Sequence, residues 1–118
     1  MIVLVDTSVW IHHFRTGEPR LSQLLSEGLV LMHPFVLGEL ACGNLKNRAA
    51  ILRNLGVLPT VKSSTQEETL QLIHHRKLWG QGIGWVDAHL LASALLSNCR
   101  LWTLDEGLKK LAAAANRW

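Results

Sequence analysis

The sequence predicts an α/β domain with a mostly parallel central sheet flanked by helices on both faces. Three observations point there. Short runs of β-branched and aliphatic residues alternate with longer helix-forming stretches along the whole chain. Two of the three aspartates, Asp6 and Asp105, each stand directly after one of those short runs. The chain also carries no repeat, linker or low-complexity segment, so residues 1–118 read as one domain. At 48% hydrophobic it is large enough to bury a core without disulfides.

The elements follow in order. Ile2 to Val5 is an apolar, β-rich run, and Thr7 to about Arg15 reads as a helix that Thr7 or Ser8 would cap. Thr16-Gly17-Glu18-Pro19 is a turn. Pro19 suits a helix start and Gly28 the end of that helix. Leu29 to Met32 is a second strand, Pro34 to Cys42 and Lys46 to Leu55 are helices, and Leu58 to Val61 is a third strand. Ser64 to Glu68 offers overlapping capping boxes for a helix running to about Trp79. Gly80 to Gly84 is a loop that could act as a hinge or simply turn the chain. Val86 to Ser97 is a strongly apolar helix, Arg100 to Leu104 a strand, and Glu106 to Ala115 an alanine-rich last helix.

Cys42 and Cys99 sit in apolar segments, form no C-x-x-C pair, and read as reduced core residues of a cytoplasmic protein. The apolar start Ile2 to Val5 is halted by Asp6, which makes it too short for a signal peptide or a membrane span.

Ligands of open parallel sheets bind beyond the carboxyl ends of the strands, where Asp6 and Asp105 fall. Two further acids lie on apolar helices. Asp87 opens the helix 86–97, whose polar stripe is His89, Ser93 and Ser97. A residue two positions from His89 lies on roughly the opposite face, so Asp87 aligns with Leu90, Leu91, Ala94 and Leu95. Glu39 is in register with Phe35, Val36 and Cys42.

Each acid has an ordinary explanation taken alone. Asp6 caps a helix, Asp105 sits in a turn, Asp87 favours a helix dipole, and Glu39 is partly exposed or paired with an arginine. Independent capping roles do not predict all four together. Clustered without cations, four carboxylates would repel one another and several would stay protonated at pH 7. A divalent cation removes that conflict, and oxygen-only ligands favour magnesium or manganese over zinc. Four of the nine acids belong to this set, so twelve Lys and Arg face the five that remain, a surplus of seven positive charges. A basic surface around an acidic, metal-loaded centre suits a nuclease.

Val5-Asp6-Thr7-Ser8, Glu39 in a short helix, Trp85-Val86-Asp87-Ala88 and Trp102-Thr103-Leu104-Asp105 together resemble the PIN-domain ribonucleases, in particular VapC-type toxins of type II toxin-antitoxin systems. The likeness covers the whole chain in order and spacing. It implies a PIN-like fold and a Mg2+- or Mn2+-dependent endoribonuclease acting on tRNA or other structured RNA. It also implies a cognate VapB-like antitoxin that blocks the site, and usually a homodimer. Asp6, Glu39, Asp87 and Asp105 take the family's acidic positions one by one. Glu106-Gly107 follows the last aspartate where many members carry an aromatic pair, which would give Asp105 a weaker, water-mediated role.

On this reading Asp6 and Asp87 bind the metal most directly, Glu39 binds or orients its water, and Asp105 completes the site. In-line attack should leave 5′-phosphate and 3′-hydroxyl ends. Thr7, Ser8 and Thr103 supply hydroxyls for a metal-held water or the scissile phosphate. Arg15, Arg20, Arg76 and Lys77 are candidate RNA phosphate contacts, and one of the five tryptophans could stack on a base. The six histidines lack a zinc-like arrangement and are unassigned. Three other readings stand beside this one: a PIN nuclease for RNA processing, a non-catalytic RNA-binding or interaction module, and an aspartyl-phosphate phosphatase. The last needs a second aspartate at position 8, which is serine.

Overall fold

The computed structural model describes residues 1–115. Three strands, β1 (Val3–Val5), β2 (Val30–Leu31) and β3 (Arg100–Trp102), form a parallel sheet in the order β2-β1-β3. Val3 is paired with Val30 and Arg100, Leu4 with Leu31 and Leu101, and Val5 with Trp102. Every residue of β1 is buried. Successive side chains point to opposite faces of a strand, so both faces of the central strand are covered, as expected.

The covering helices are α1 (Thr7–Thr16), α2 (Pro19–Ser26), α3 (Pro34–Cys42), α4 (Arg48–Leu55), α5 (Gln66–His75), α6 (Trp85–Leu96) and α7 (Glu106–Ala115). The larger core gathers β1 and β2 with Val9 and Trp10 of α1, Leu21 of α2, Val36 and Leu40 of α3, and Leu90 and Ala94 of α6. A smaller one packs Leu91 of α6 against Leu78 and the α7 residues Leu108, Ala112 and Ala115. The apolar helix α6 therefore serves both cores. Burial of this kind stabilises by about 25 cal/mol per Å² of apolar surface removed from water.

Several expectations are corrected. The strand expected at Leu58–Val61 is reduced to a single parallel bridge between Met32 and Thr60. Pro59 has no N–H to donate, so the ladder holds only through Met32 N to Pro59 O (2.8 Å) and Val61 N to Met32 O (2.9 Å). Helix α5 stops at His75 rather than near Trp79, because Lys77 turns left-handed at φ 53°. Its start is as expected, a capping box between Thr65 and Glu68. Helix α4 starts at Arg48 rather than Lys46, after Asn47 at φ 54°. Cys42 is exposed at the end of α3, and only Cys99 is a core residue. Helix α1 is capped by neither Thr7 nor Ser8: Asp6 is the cap, accepting from Thr7 N. No described helix is long and apolar enough to cross a membrane.

Candidate active site

Parallel strands put their carboxyl ends on one edge of the sheet, and the chain leaves β1 and β3 side by side. Asp6 N donates to Trp102 O at 2.9 Å, which fixes Asp6 and Thr103 as neighbours. Asp6 is 7% exposed, and three donors orient its carboxylate. Thr7 N reaches Oδ1 at 2.7 Å, while Ser8 Oγ at 2.8 Å and Thr103 Oγ1 at 2.7 Å reach Oδ2. The three hydroxyl residues singled out in the sequence thus surround this aspartate. Thr7 Oγ1 also donates to Glu39 Oε1 at 2.6 Å, which ties α3 to the start of α1. Thr103 Oγ1 accepts from Asp105 N at 3.1 Å, which positions the last aspartate.

Asp105 begins α7, with Oδ2 accepting from Leu108 N at 2.8 Å. One of its oxygens is therefore committed to capping. A side chain at Gly107 would stand 3.4 Å from that same oxygen, so the glycine keeps the approach open. Asp87, in the first turn of α6, has its pKa raised by burial and then by the negative charges of Asp6, Asp105 and Glu39. A hydrogen bond from the Gly84 backbone partly opposes the rise. All three other acids thus contribute to the rise at Asp87.

Burial is uneven. Asp6 is buried and Asp87 half-buried, whereas Glu39 and Asp105 are exposed. Among the described residues the ion pairs are His12 with Glu18 and Lys109 with Glu106, and neither involves the four. No cation is among the causes of the Asp87 shift. Nor do three acids converge as a ready-made metal cage among the described residues. A cation held here would therefore keep several of its own waters and would not sit in a closed shell of protein oxygens.

Glu39 is also the residue shared by two grooves. One, of about 640 Å³, is lined by Arg15, Lys46, Asn44 and Asn47 above an apolar floor that includes Ile11 and Phe14. The other, of about 630 Å³, is lined by Pro34, Phe35, Gly38, Cys42, Trp85 and Val86. Of the four basic residues singled out in the sequence, Arg15 lines a groove with Glu39. Arg20 lies over the Trp102 ring at 5.6 Å and lines a separate hollow along β3. Arg76 and Lys77 follow α5 and line neither groove beside Glu39. Sequence reasoning missed Lys46 and Asn44. Their only signal is proximity to the end of α3, because loop residues carry no periodicity.

The PIN domain family profile matches residues 3–114. Ribonuclease VapC32 of Mycobacterium tuberculosis, in two strains, is 46% identical over 113 residues, covering 95% of this chain and 91% of that protein. The crystal structure of PAE2754 from Pyrobaculum aerophilum covers all of this chain and 91% of its own, with a TM-score of 0.57 at 16% identity, a likeness of fold. On the matched profile and the identity to its mycobacterial relative, this chain belongs to the PIN-domain family and, within it, to the VapC group.

Proposed function

We propose that the chain is a divalent-metal-dependent endoribonuclease, the toxin of a type II toxin-antitoxin pair, acting on tRNA or another structured RNA. The observation that carries the reading is the linkage of three acids through shared threonines, Thr7 between Asp6 and Glu39 and Thr103 between Asp6 and Asp105, with all three raising the pKa of Asp87. The relative's name, Ribonuclease VapC32, supports the reaction class. A VapB-like antitoxin and assembly as a homodimer belong to the same reading.

A bound Mg2+ or Mn2+ would supply positive charge to the attacked phosphate and lower the pKa of the attacking water. The chain's own residues set the geometry. Asp6, with both oxygens oriented by donors, and Asp87 on α6 would hold the ion directly. Glu39 would hold the ion's water through the oxygen that Thr7 leaves unused, and Asp105 through the oxygen not engaged in capping. Ser8 and Thr103 brace Asp6 and act through it as positioning residues. Attack of water in line with the leaving 3′-oxygen gives 5′-phosphate and 3′-hydroxyl ends.

The test is cleavage of total tRNA with Mg2+ or Mn2+ and with chelator, followed by end-group analysis of the fragments. Metal-dependent fragments bearing 5′-phosphates are expected. Cyclic phosphate ends, or cleavage unaffected by chelator, would contradict the mechanism.

A further inference from the structure

Glu39 stands between two grooves of different chemistry. The first presents the cations Arg15 and Lys46. The second presents two aromatic rings, Phe35 at 40% and Trp85 at 43% exposure. Phe35 lies one helical turn before Glu39 on α3; Trp85 lies one turn before His89 on α6, off the Asp87 face, and shares the groove with Glu39. Each ring is thus on the first turn of a helix that also supplies an acid.

The rings are not loose. His89 meets Trp85 edge to face at 4.4 Å and 88°, and meets Phe35 at 4.9 Å and 66°. His33 lies 5.0 Å from Phe35 on the other side. His89 is itself buried, with Nδ1 3.2 Å from Thr69 Oγ1 and 3.4 Å from Ser64 Oγ. Between the two helices Gly38 leaves the groove open, since a Cβ there would meet nothing within 4 Å. Exposed aromatics fixed in advance lose little freedom on binding, and every nucleobase offers a face on which they can stack.

Resting on the ribonuclease reading, we propose that Phe35 and Trp85 take up an unpaired nucleobase next to the cleaved phosphodiester, while the ribose-phosphate chain continues through the groove of Arg15 and Lys46. Continuity through Glu39 and the cations of the neighbouring groove favour a polyanion over an apolar protein segment.

The test uses a synthetic stem-loop built around the cut site mapped in tRNA, and copies in which one flanking nucleotide is abasic. Binding is measured in the full chain carrying Asp6→Asn, with and without Trp85→Ala, Trp85→Phe or Gly38→Ala. Removing the stacked base should weaken binding by about 5- to 150-fold when Trp85 is present and much less in Trp85→Ala. Trp85→Phe should retain most of the discrimination. Gly38→Ala should lose it while melting no lower, because the methyl enters the groove and not the core. Bound RNA should also shield exposed Cys42 from iodoacetamide. An abasic penalty that is equal with and without Trp85 would overturn the proposal. So would concentration-dependent shielding of Cys42 without RNA, the mark of a second copy in the groove. If the unsubstituted protein cuts no RNA with metal present, the ribonuclease reading fails first and the proposal falls with it.

Discussion

Helix α6 carries buried or half-buried polar groups on two opposite faces, and the two faces treat them differently. On one, His89, Ser93 and Ser97 meet the segment that leads into α5. Ser93 Oγ accepts from Ser64 N at 2.9 Å, Ser97 Oγ accepts from Lys62 N at 2.8 Å, and Thr69 Oγ1 lies 3.2 Å from His89 Nδ1. Burial lowers the pKa of His89 and favours its neutral form. On the other face Asp87 meets three carboxylates and its pKa is raised. The first face is complete within the chain, and its net hydrogen-bond energy goes into holding α5. The second is unfavourable as it stands, as expected of a face that takes up a cation on the reading proposed above.

The largest expected effect is on catalysis. Asp6→Asn should reduce RNA cleavage by about 10³-fold or more, on the scale of losing a group that organises transition-state charge. Circular dichroism and melting should show it folded. Full activity in that variant would end the distinction between the two faces.

Thr103→Val keeps the shape and removes the donor to Asp6 Oδ2. Roughly 10- to 100-fold loss of cleavage is expected, since Thr103 acts by orienting the aspartate. The same measurement on Thr7→Val reports the link to Glu39.

Ser93→Ala should do the reverse. It leaves the Ser64 amide buried without its acceptor and costs about 1–3 kcal/mol of stability by denaturant titration. Metal-dependent activity of the folded fraction should be unchanged.

A smaller effect concerns His33, which caps α3 by accepting from Phe35 N at Nδ1, 2.9 Å. Burial, and then the charge of His89, lower its pKa from 6.5 to about 4. A depressed folded pKa means that the stabilisation is present above 6.5 and is lost as pH falls toward 4. Melting temperature followed across that range should fall more in the native chain than in His33→Asn, which caps without titrating.

Much of the second face is legible in the sequence. Asp6 and Asp105 mark strand ends, and two-residue spacing from His89 puts Asp87 off the polar stripe. The stripe itself is where sequence reading stops. Period alone makes His89, Ser93 and Ser97 a polar edge, yet the first two are buried, because Ser64 and Thr69 bring matching hydrogen-bond partners from 20 to 29 positions away. Long-range pairing leaves no local trace. For the same reason the bond from Thr7 to Glu39, 32 positions apart, and the two grooves that meet at Glu39 are visible only in the fold. Basic residues are the least legible. Arg15 and Arg20 look alike in sequence, but one lines the groove beside Glu39 and the other lies on Trp102.

The central claim is that the acidic face lacks a cation and the opposite face lacks nothing. The direct test is thermal melting with increasing Mn2+ at pH 7, for the native chain, Asp87→Asn and Ser93→Ala. Without metal, Asp87→Asn should melt above the native chain, because a raised carboxylate pKa means stability lost as pH rises above its ordinary 3.8. With Mn2+ at a hundredfold excess over its Kd, the native chain and Ser93→Ala should each gain about 2.7 kcal/mol, and Asp87→Asn far less. Equal stabilisation of all three by Mn2+, or of none, would contradict the account.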